Sequence, residues 1–394
     1  MFGQITRTEH QGFFSRIASS VVGVLVGFLM VPGSCLLIAW NEYRTIHRTQ
    51  GLLQAEKVVA EVASPFEIVT DQDGRLVHVT GNATTDELLQ DGIFDIGRKV
   101  LRLERRVEMY QWVERKESKT RDKLGGGKET ITTYDYQKKW HSDRINSESF
   151  EQPSGHSNPQ ARYESVSLVS KQATLGAFRL RPALVEDLNA WKEVPLDESV
   201  VLGKLPESER GHHRIEGGYL YYSGDVPNTP DPKVGDQRMS FRMVEPMTVS
   251  LLSKQKGSDF EPFQAGNGET IESIVTGEVS SSQMFNALRF ENTTLATILR
   301  LAGWVLSCIG FCLIAGPLHA IANFVPLLGK MVGAATMLVG FILGSVLALI
   351  TISIAWVAVR PQFSLALLAV AAVGIYFMFR RKKVEEPPLA VLVE

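Results

Sequence analysis

Ile17–Trp40 reads IASSVVGVLVGFLMVPGSCLLIAW, a run with no Asp, Glu, Lys or Arg. A bilayer core takes about 20 mostly apolar residues per helical span, so this stretch predicts a membrane helix near the start of the chain. Arg7 and Arg16 precede it, as basic residues precede a secretory signal, but the run is longer than the ~7–15 residue apolar core of a cleaved signal. Pro32-Gly33-Ser34-Cys35 has the outline of a lipoprotein cleavage box. It lacks a leucine three residues before the cysteine, and apolar Leu36-Leu37-Ile38-Ala39-Trp40 continues past it. The segment is read as a permanent anchor with a bend or break near Pro32-Gly33, where proline has no amide donor.

Three further apolar runs lie at the other end of the chain, over residues 296–317, 331–357 and 363–379. Between the first run and these lies one polar block, residues 41–295. The predicted fold class is an α+β membrane protein: four transmembrane helices, one N-terminal and three C-terminal, plus a large β-rich extramembrane domain. Residues 1–16 form an N-terminal tail and 380–394 a basic C-terminal tail opening with Arg380-Arg381-Lys382-Lys383. Positive charge near span ends sets orientation. Both tails and the Lys330 loop are thus expected in the cytoplasm, with the 41–295 block on the lumenal or periplasmic side. Arg44, Arg48, Arg289 and Arg300 run against this, but a long domain translocates largely regardless of its charge.

Inside the runs the only charged residue is Arg300, near an edge. Proton relays and ion pathways use intramembrane ionisable groups, which disfavours a transporter and leaves a pore built by oligomerisation open. Small residues recur at four-residue spacing instead: Gly23 and Gly27, then Gly340, Gly344 and Ala348. Such faces let helix backbones approach closely, and these are the candidate packing sites, within one chain or between chains. His319 falls between spans as an interfacial polar residue.

The polar block shows period-two and β-former segments bounded by turn residues. Strands are expected over 75–80, 106–114, 130–140, 219–222, 244–254 and 272–276, the second and third joined as a long hairpin across Gly125-Gly126-Gly127. Helices are expected over 182–194, with Leu184, Val185, Leu188 and Trp191 on one face, and from Ser280 to Leu288 behind capping serines. A faint internal echo relates LVHVTG, ending at Gly81, to ESIVTG, ending at Gly277. Each is followed by a short helical pattern, Thr84–Leu89 and Ser280–Phe285.

The formal charge of −2 gives no general attraction for nucleic acid. All three cysteines, Cys35, Cys308 and Cys312, lie in predicted spans, so the block has neither a disulfide framework nor a thiolate metal site. No Gly-x-Ser-x-Gly elbow, phosphate loop, dinucleotide fingerprint or His-Glu-x-x-His occurs. No catalytic, cofactor-binding or metal-ligating residue is assigned, and no cofactor is expected. His141 and Asp143 are the one weighed ligand pair. His156, in Gly-His-Ser-Asn-Pro, reads as a loop histidine satisfying backbone groups. Residues 98–144 carry fourteen Lys or Arg against eight Asp or Glu. Arg102, Arg105 and Arg106 are candidate contacts for anionic headgroups, the alternative being a solvated strand face with cross-strand ion pairs. Tyr110, Trp112, Tyr134, Tyr136 and Trp140 are interleaved among the charges as a hairpin ladder, an interface or a membrane-dipping surface. Asn82-Ala83-Thr84 and Asn292-Thr293-Thr294 are glycosylation sequons, relevant only in a eukaryotic lumen.

Gly74-Arg75-Leu76-Val77-His78, Arg106–Glu114 (RVEMYQWVE), Ile145-Asn146-Ser147, Gly155-His156-Ser157-Asn158-Pro159, Gly235–Phe241 (GDQRMSF), Ala302-Gly303-Trp304 and Arg360-Pro361 resemble the LUMA (transmembrane protein 43) family over nearly the whole chain. The resemblance implies four spans and a large lumenal loop. Animal members lie in the endoplasmic reticulum and inner nuclear membrane, self-associate, and bind lamins and emerin; bacterial relatives have no lamins and would sit in the inner membrane. The family has no agreed enzymatic activity. The functional expectation is a non-enzymatic scaffold that organises membrane protein complexes, with membrane lipids, further copies of itself and other membrane proteins as partners. An oligomeric channel or channel accessory subunit, and a lipid-binding membrane protein, are the alternatives.

Overall fold

The computed structural model describes residues 4–357 and 361–379. Eight helices are seen among them: α1 (Phe13–Val58), three short ones, α2 (Pro182–Glu186), α3 (Glu198–Lys204) and α4 (Glu207–Arg210), then α5 (Ser281–Ile314), α6 (Gly316–Ala322), α7 (Pro326–Trp356) and α8 (Pro361–Phe379). Helices α1, α5 and α7 are long and apolar enough to cross a membrane. The fourth expected span coincides with the 19-residue helix α8; among the described residues three spans are shown, by α1, α5 and α7. Basic tail 380–394 lies outside the described residues. Helix α1 runs 46 residues with Pro32 inside it. Of the expected bend or break, a break is excluded, because α1 stays helical through Pro32.

Between α1 and α5 strand is the main regular structure. An eight-stranded sheet orders Ile5–Gln11, Lys128–His141, Arg102–Asp122, Gln237–Val244, Tyr219–Tyr222 and His213–Glu216, with two further short strands on its flanks. The period-two reading of the sequence explains the long Arg102–Asp122 strand. Leu103, Arg105, Val107 and Met109 face inward and are buried, while Arg102, Glu104, Arg106, Glu108 and Tyr110 lie on the other face. Leu103 and Val107 pack with Phe94, Leu220, Met239 and Phe241. A seven-stranded sheet centres on Met247–Lys256, flanked by antiparallel Leu76–Thr84 on one edge and Ser273–Thr276 on the other.

The expected strand over 244–254 is found as Met247–Lys256, with Val244 ending the preceding strand, Gln237–Val244. Glu245-Pro246 separates them, since Pro246 cannot donate to a ladder. The expected helix over 182–194 closes after one turn at Glu186, and Lys192–Glu193 joins the larger sheet instead. Thr84–Leu89 is not helical: Leu89–Gln90 pairs with Gly97–Arg98. The Ser280–Leu288 helix is the first part of α5.

The chain divides into two compact units. A β unit holds the residues up to Thr8, Arg48–Lys119 and Ile131–Phe290; a helical unit holds Glu9–His47, Thr120–Thr130 and the chain from Glu291. In the β unit one core gathers Val77, Val79, Leu175, Phe178, Leu184, Val249, Leu251 and Phe260. Another brings Leu52 and Ala55 of α1 against Met284, Phe285 and Leu288 of α5, with Leu76 and Leu252. In the helical unit α5 is gripped on two sides. A Cβ on Gly27 would lie 2.6 Å from the Gly310 oxygen, and one on Gly310 would lie 2.8 Å from Val31. A Cβ on Gly340 or Gly344 would meet the Cys312 or Cys308 sulfur at 2.5 and 2.6 Å. These approaches exist because the positions lack side chains.

Candidate functional site

The most buried carboxylate among the helical unit's ion pairs lies where the first apolar run ends. Glu42 follows Trp40 by two residues on α1 and is 1% exposed. Arg300 of α5 grips it through two donors, Nε to Oε1 at 2.5 Å and Nη2 to Oε2 at 2.9 Å. The Trp356 indole of α7 donates to the same Oε2 at 2.5 Å, and the guanidinium stands 5.4 Å from its ring centroid. Three helices are tied at one carboxylate. A buried carboxylate persists as an ion only where it is paired and hydrogen-bonded, and bidentate arginine is the geometry that does this best.

The polar seam continues along α1 and α5. Asn41, fully buried, donates to the Ala296 oxygen at 3.0 Å, and Asn292 donates to the Thr45 oxygen at 3.0 Å. The Trp304 indole donates to Ser345 on α7 at 2.9 Å. His319 on α6 faces Asn323 at 2.9 Å, and a Cβ on Gly333 would touch its ring. Chemically this arrangement is a clamp, because the carboxylate's acceptors are spent on donors from its own chain.

Glu42 was missing from the sequence reading because it sits outside the apolar run. Arg300 was the signal for it: a cation in a span calls for a carboxylate partner, and Glu42 is the acidic residue nearest the end of the first run.

Of the three arginines singled out for headgroups, the β unit uses two internally. Arg105 is 4% exposed and takes both oxygens of Asp91, at 2.8 and 2.6 Å. Arg102 donates to the Glu186 and Leu188 oxygens and lies 4.5 Å over Trp191. Arg106 remains on the surface, 3.6 Å from Glu104. The interleaved aromatics share one face of the hairpin and differ in what covers them. Trp112, Tyr134 and Tyr136 form a buried cluster with Phe150, and His156 stacks on Tyr136 at 3.9 Å. The Asn158 side chain bonds the Trp112 backbone from both ends, Oδ1 accepting at 2.7 Å and Nδ2 donating at 3.0 Å. Tyr110 and Trp140 lie on the outer face, 5.3 Å apart. There Arg238 sits 4.8 Å from both the Trp140 and Tyr219 rings, with Tyr221 6.0 Å from Trp140. His141 and Asp143 meet through the Asp143 backbone, His141 Nδ1 lying 3.1 Å from its nitrogen and 3.0 Å from its oxygen.

The family model for transmembrane protein 43 matches residues 109–361. The chain belongs to the transmembrane protein 43 family. It is 29% identical to human transmembrane protein 43 over 389 residues, covering 94% of each chain. The mouse protein is 28% identical over 383 residues, with 94% of this chain and 93% of the mouse protein covered. A Drosophila melanogaster homologue is 27% identical over 368 residues, with 92% and 95% covered. No solved structure matches. The family match spans the outer-face aromatics, the α5 and α7 helices and Arg300, while Glu42 precedes it. Membership makes this an integral membrane protein with a β-rich domain, of a family not known for enzymes.

Proposed function

We propose that this transmembrane protein 43 family member is a non-enzymatic membrane scaffold whose β-rich domain docks other membrane proteins. The observation that carries the reading is the outer face of the eight-stranded sheet, where half-buried Tyr110, Trp140, Tyr219, Tyr221 and Arg238 form a contiguous group. Tyr, Trp and Arg are the residues enriched at protein interfaces and in their energetic centres. Stacking has already ordered the arginine, so less side-chain entropy remains to be lost on docking. Gly27, Gly340 and Gly344 are covered from within the chain, so self-association falls to the domain rather than to these faces. Membrane residence in the endoplasmic reticulum and nuclear envelope, with lamins and emerin as partners, is the corresponding proposal for a eukaryotic chain.

The test is cross-linking in membranes with the full-length protein, comparing wild type with a Trp140→Ala/Arg238→Ala pair. Loss of most cross-linked partner, with thermal stability of the protein unchanged, is the expected result. Unchanged cross-linking from a folded double variant would remove the outer face from the proposal.

A further inference from the structure

Arg44, Arg48, Arg289 and Arg300 lie on the parts of α1 and α5 that lead from the apolar runs toward the β-rich domain. Charge counting disfavours cations on that side of a membrane, so each calls for a local reason. Three have one in a carboxylate. Arg48 bonds Glu269 at 2.7 Å, Arg289 bonds Glu56 at 2.5 Å and Arg300 bonds Glu42 at 2.5 Å. Arg44 has no carboxylate partner among the described residues. Its bond from Nη2 to Thr45 Oγ1 is long, at 3.5 Å, and its Nε is buried without an acceptor.

The level of Arg44 along α1 decides what can reach it. Ile17–Trp40 is about 36 Å long at a rise of 1.5 Å per residue, against a hydrocarbon core of ~30 Å. The hydrocarbon therefore ends near Trp40. Arg44 lies about 6 Å beyond Trp40 by the same rise, within a headgroup layer that adds roughly 5–7 Å on each side. Aromatic side chains mark the same level. Trp40 is 56% and Tyr43 69% exposed, and Trp356 of α7 reaches Glu42. Trp and Tyr gather at this boundary in membrane proteins.

The carboxylates on neighbouring turns do not serve Arg44. Glu42 is spent on Arg300 and Trp356, and Glu291 of α5 is exposed and forms no ion pair with it. A guanidinium with a buried, unpaired N–H is costly. At headgroup depth the abundant anion is the lipid phosphodiester, which a guanidinium takes through two parallel N–H bonds. Such a phosphate draws the side chain off the Thr45 hydroxyl and gives Nε its acceptor.

We propose that Arg44 holds the phosphate of a phospholipid in the leaflet where α1 leaves the membrane for the β-rich domain. Arg48, Arg289 and Arg300 are neutralised from within the chain, whereas Arg44 is neutralised by the bilayer.

Native mass spectrometry of the full-length protein tests it, after release from nanodiscs of equal phosphatidylglycerol and digalactosyldiacylglycerol, a glycolipid without phosphate. Phosphatidylglycerol retained by Arg44→Gln should fall about fivefold, the ratio expected for the loss of one cation near a headgroup. Glycolipid retention should not change. Arg44→Lys should keep most of the phosphatidylglycerol, and Lys57→Gln, about 20 Å further along α1, should match wild type. Equal retention by wild type and Arg44→Gln overturns the proposal, as does a parallel loss of both lipids or an equal loss in Lys57→Gln. Thermal stability of the wild type in lipid-free detergent separates the two sources of phosphate. It should rise with added phosphatidylglycerol and not with inorganic phosphate; an equal rise with inorganic phosphate makes Arg44 a free-anion site and overturns the lipid contact.

Discussion

Glu42→Met is the perturbation that most directly weighs the three-helix clamp. It removes three hydrogen bonds together, two from Arg300 and one from Trp356. Interhelical hydrogen bonds in membranes average about 0.6 kcal/mol, so three ordinary ones amount to under about 2 kcal/mol. Breaking a buried ion pair by deleting one partner costs about 3–5 kcal/mol, because the other charge is left uncompensated. The Arg300 side chain is 26% exposed, so it recovers some hydration by snorkelling, and the lower end, about 3 kcal/mol, is expected. Replacing both partners, Glu42→Met/Arg300→Met, should return stability to within about 1 kcal/mol of wild type, since a hydrophobic pair of similar volume substitutes well for a buried ion pair. The assay is equilibrium unfolding by SDS in mixed micelles, with the double-mutant cycle evaluated at one detergent fraction. A single-variant cost below about 1 kcal/mol, or a double variant as unstable as the single, would refute the clamp.

Gly27→Val should destabilise by about 1–3 kcal/mol through overpacking, as its Cβ meets the backbone at Gly310. Gly33→Ala, with nothing within 4 Å, should be silent in the same SDS titration. Asp91→Ala strands Arg105 and frees the Ile93 and Phe94 amides that Asp91 accepts; a loss of about 3–5 kcal/mol in urea unfolding is expected. Burial, and then the hydrogen bond to Glu114, push the Tyr136 phenol up to about 12. Its neutral form therefore contributes stability that is full below the unfolded value of about 10 and is lost as pH rises between about 10 and 12. Tyrosinate absorbance should show a late phase, and Tyr136→Phe should reduce its amplitude, Tyr163 being another phenol that burial pushes up. Ser250→Ala removes the acceptor of the Val279 amide and the donor to the Gly277 oxygen, each at 2.9 Å. Leaving those buried groups unmade should cost about 1–3 kcal/mol, read as faster amide exchange at Val279.

The apolar runs were legible because a bilayer imposes a length that sequence displays directly. The hairpin was legible because Gly125-Gly126-Gly127 separates two period-two segments. Less visible were features that depend on a partner distant in sequence. Arg105 reads as one more cation in a basic stretch, and only Asp91, fourteen residues away, makes it a buried ion. Arg102 and Arg105 are close in sequence and lie on opposite faces of one strand, so grouping them as one headgroup patch ignored the pleat. The helix expected over 182–194 failed for a similar reason. Its apolar residues Leu184, Val185 and Leu188 are buried, but burial came from one helical turn and a loop packed on the sheet, which periodicity over so short a window cannot separate from a helix.

The two segments of the sequence echo, Leu76–Thr84 and Ser273–Thr276, flank the same strand. Val249 stands opposite Gly81 on one side and Thr276 on the other, and Leu251 opposite Val79 and Ile274. Each segment is also adjacent in sequence or pairing to a long helix. Ala60–Glu61, just past α1, runs parallel to Val77–His78, and Ser273–Thr276 leads within five residues into α5. Side chains close the arrangement: Glu61 bonds the His78 ring at 2.5 Å, whose other nitrogen faces the Val279 oxygen at 2.9 Å. Ser250, at the centre, bonds Thr80 as well as the Gly277–Val279 turn. The last turns of α1 and the first of α5 then share one apolar core over this strand. Within the β unit, the segments that follow α1 and precede α5 are therefore held by the two backbone ladders of one central strand, Met247–Lys256.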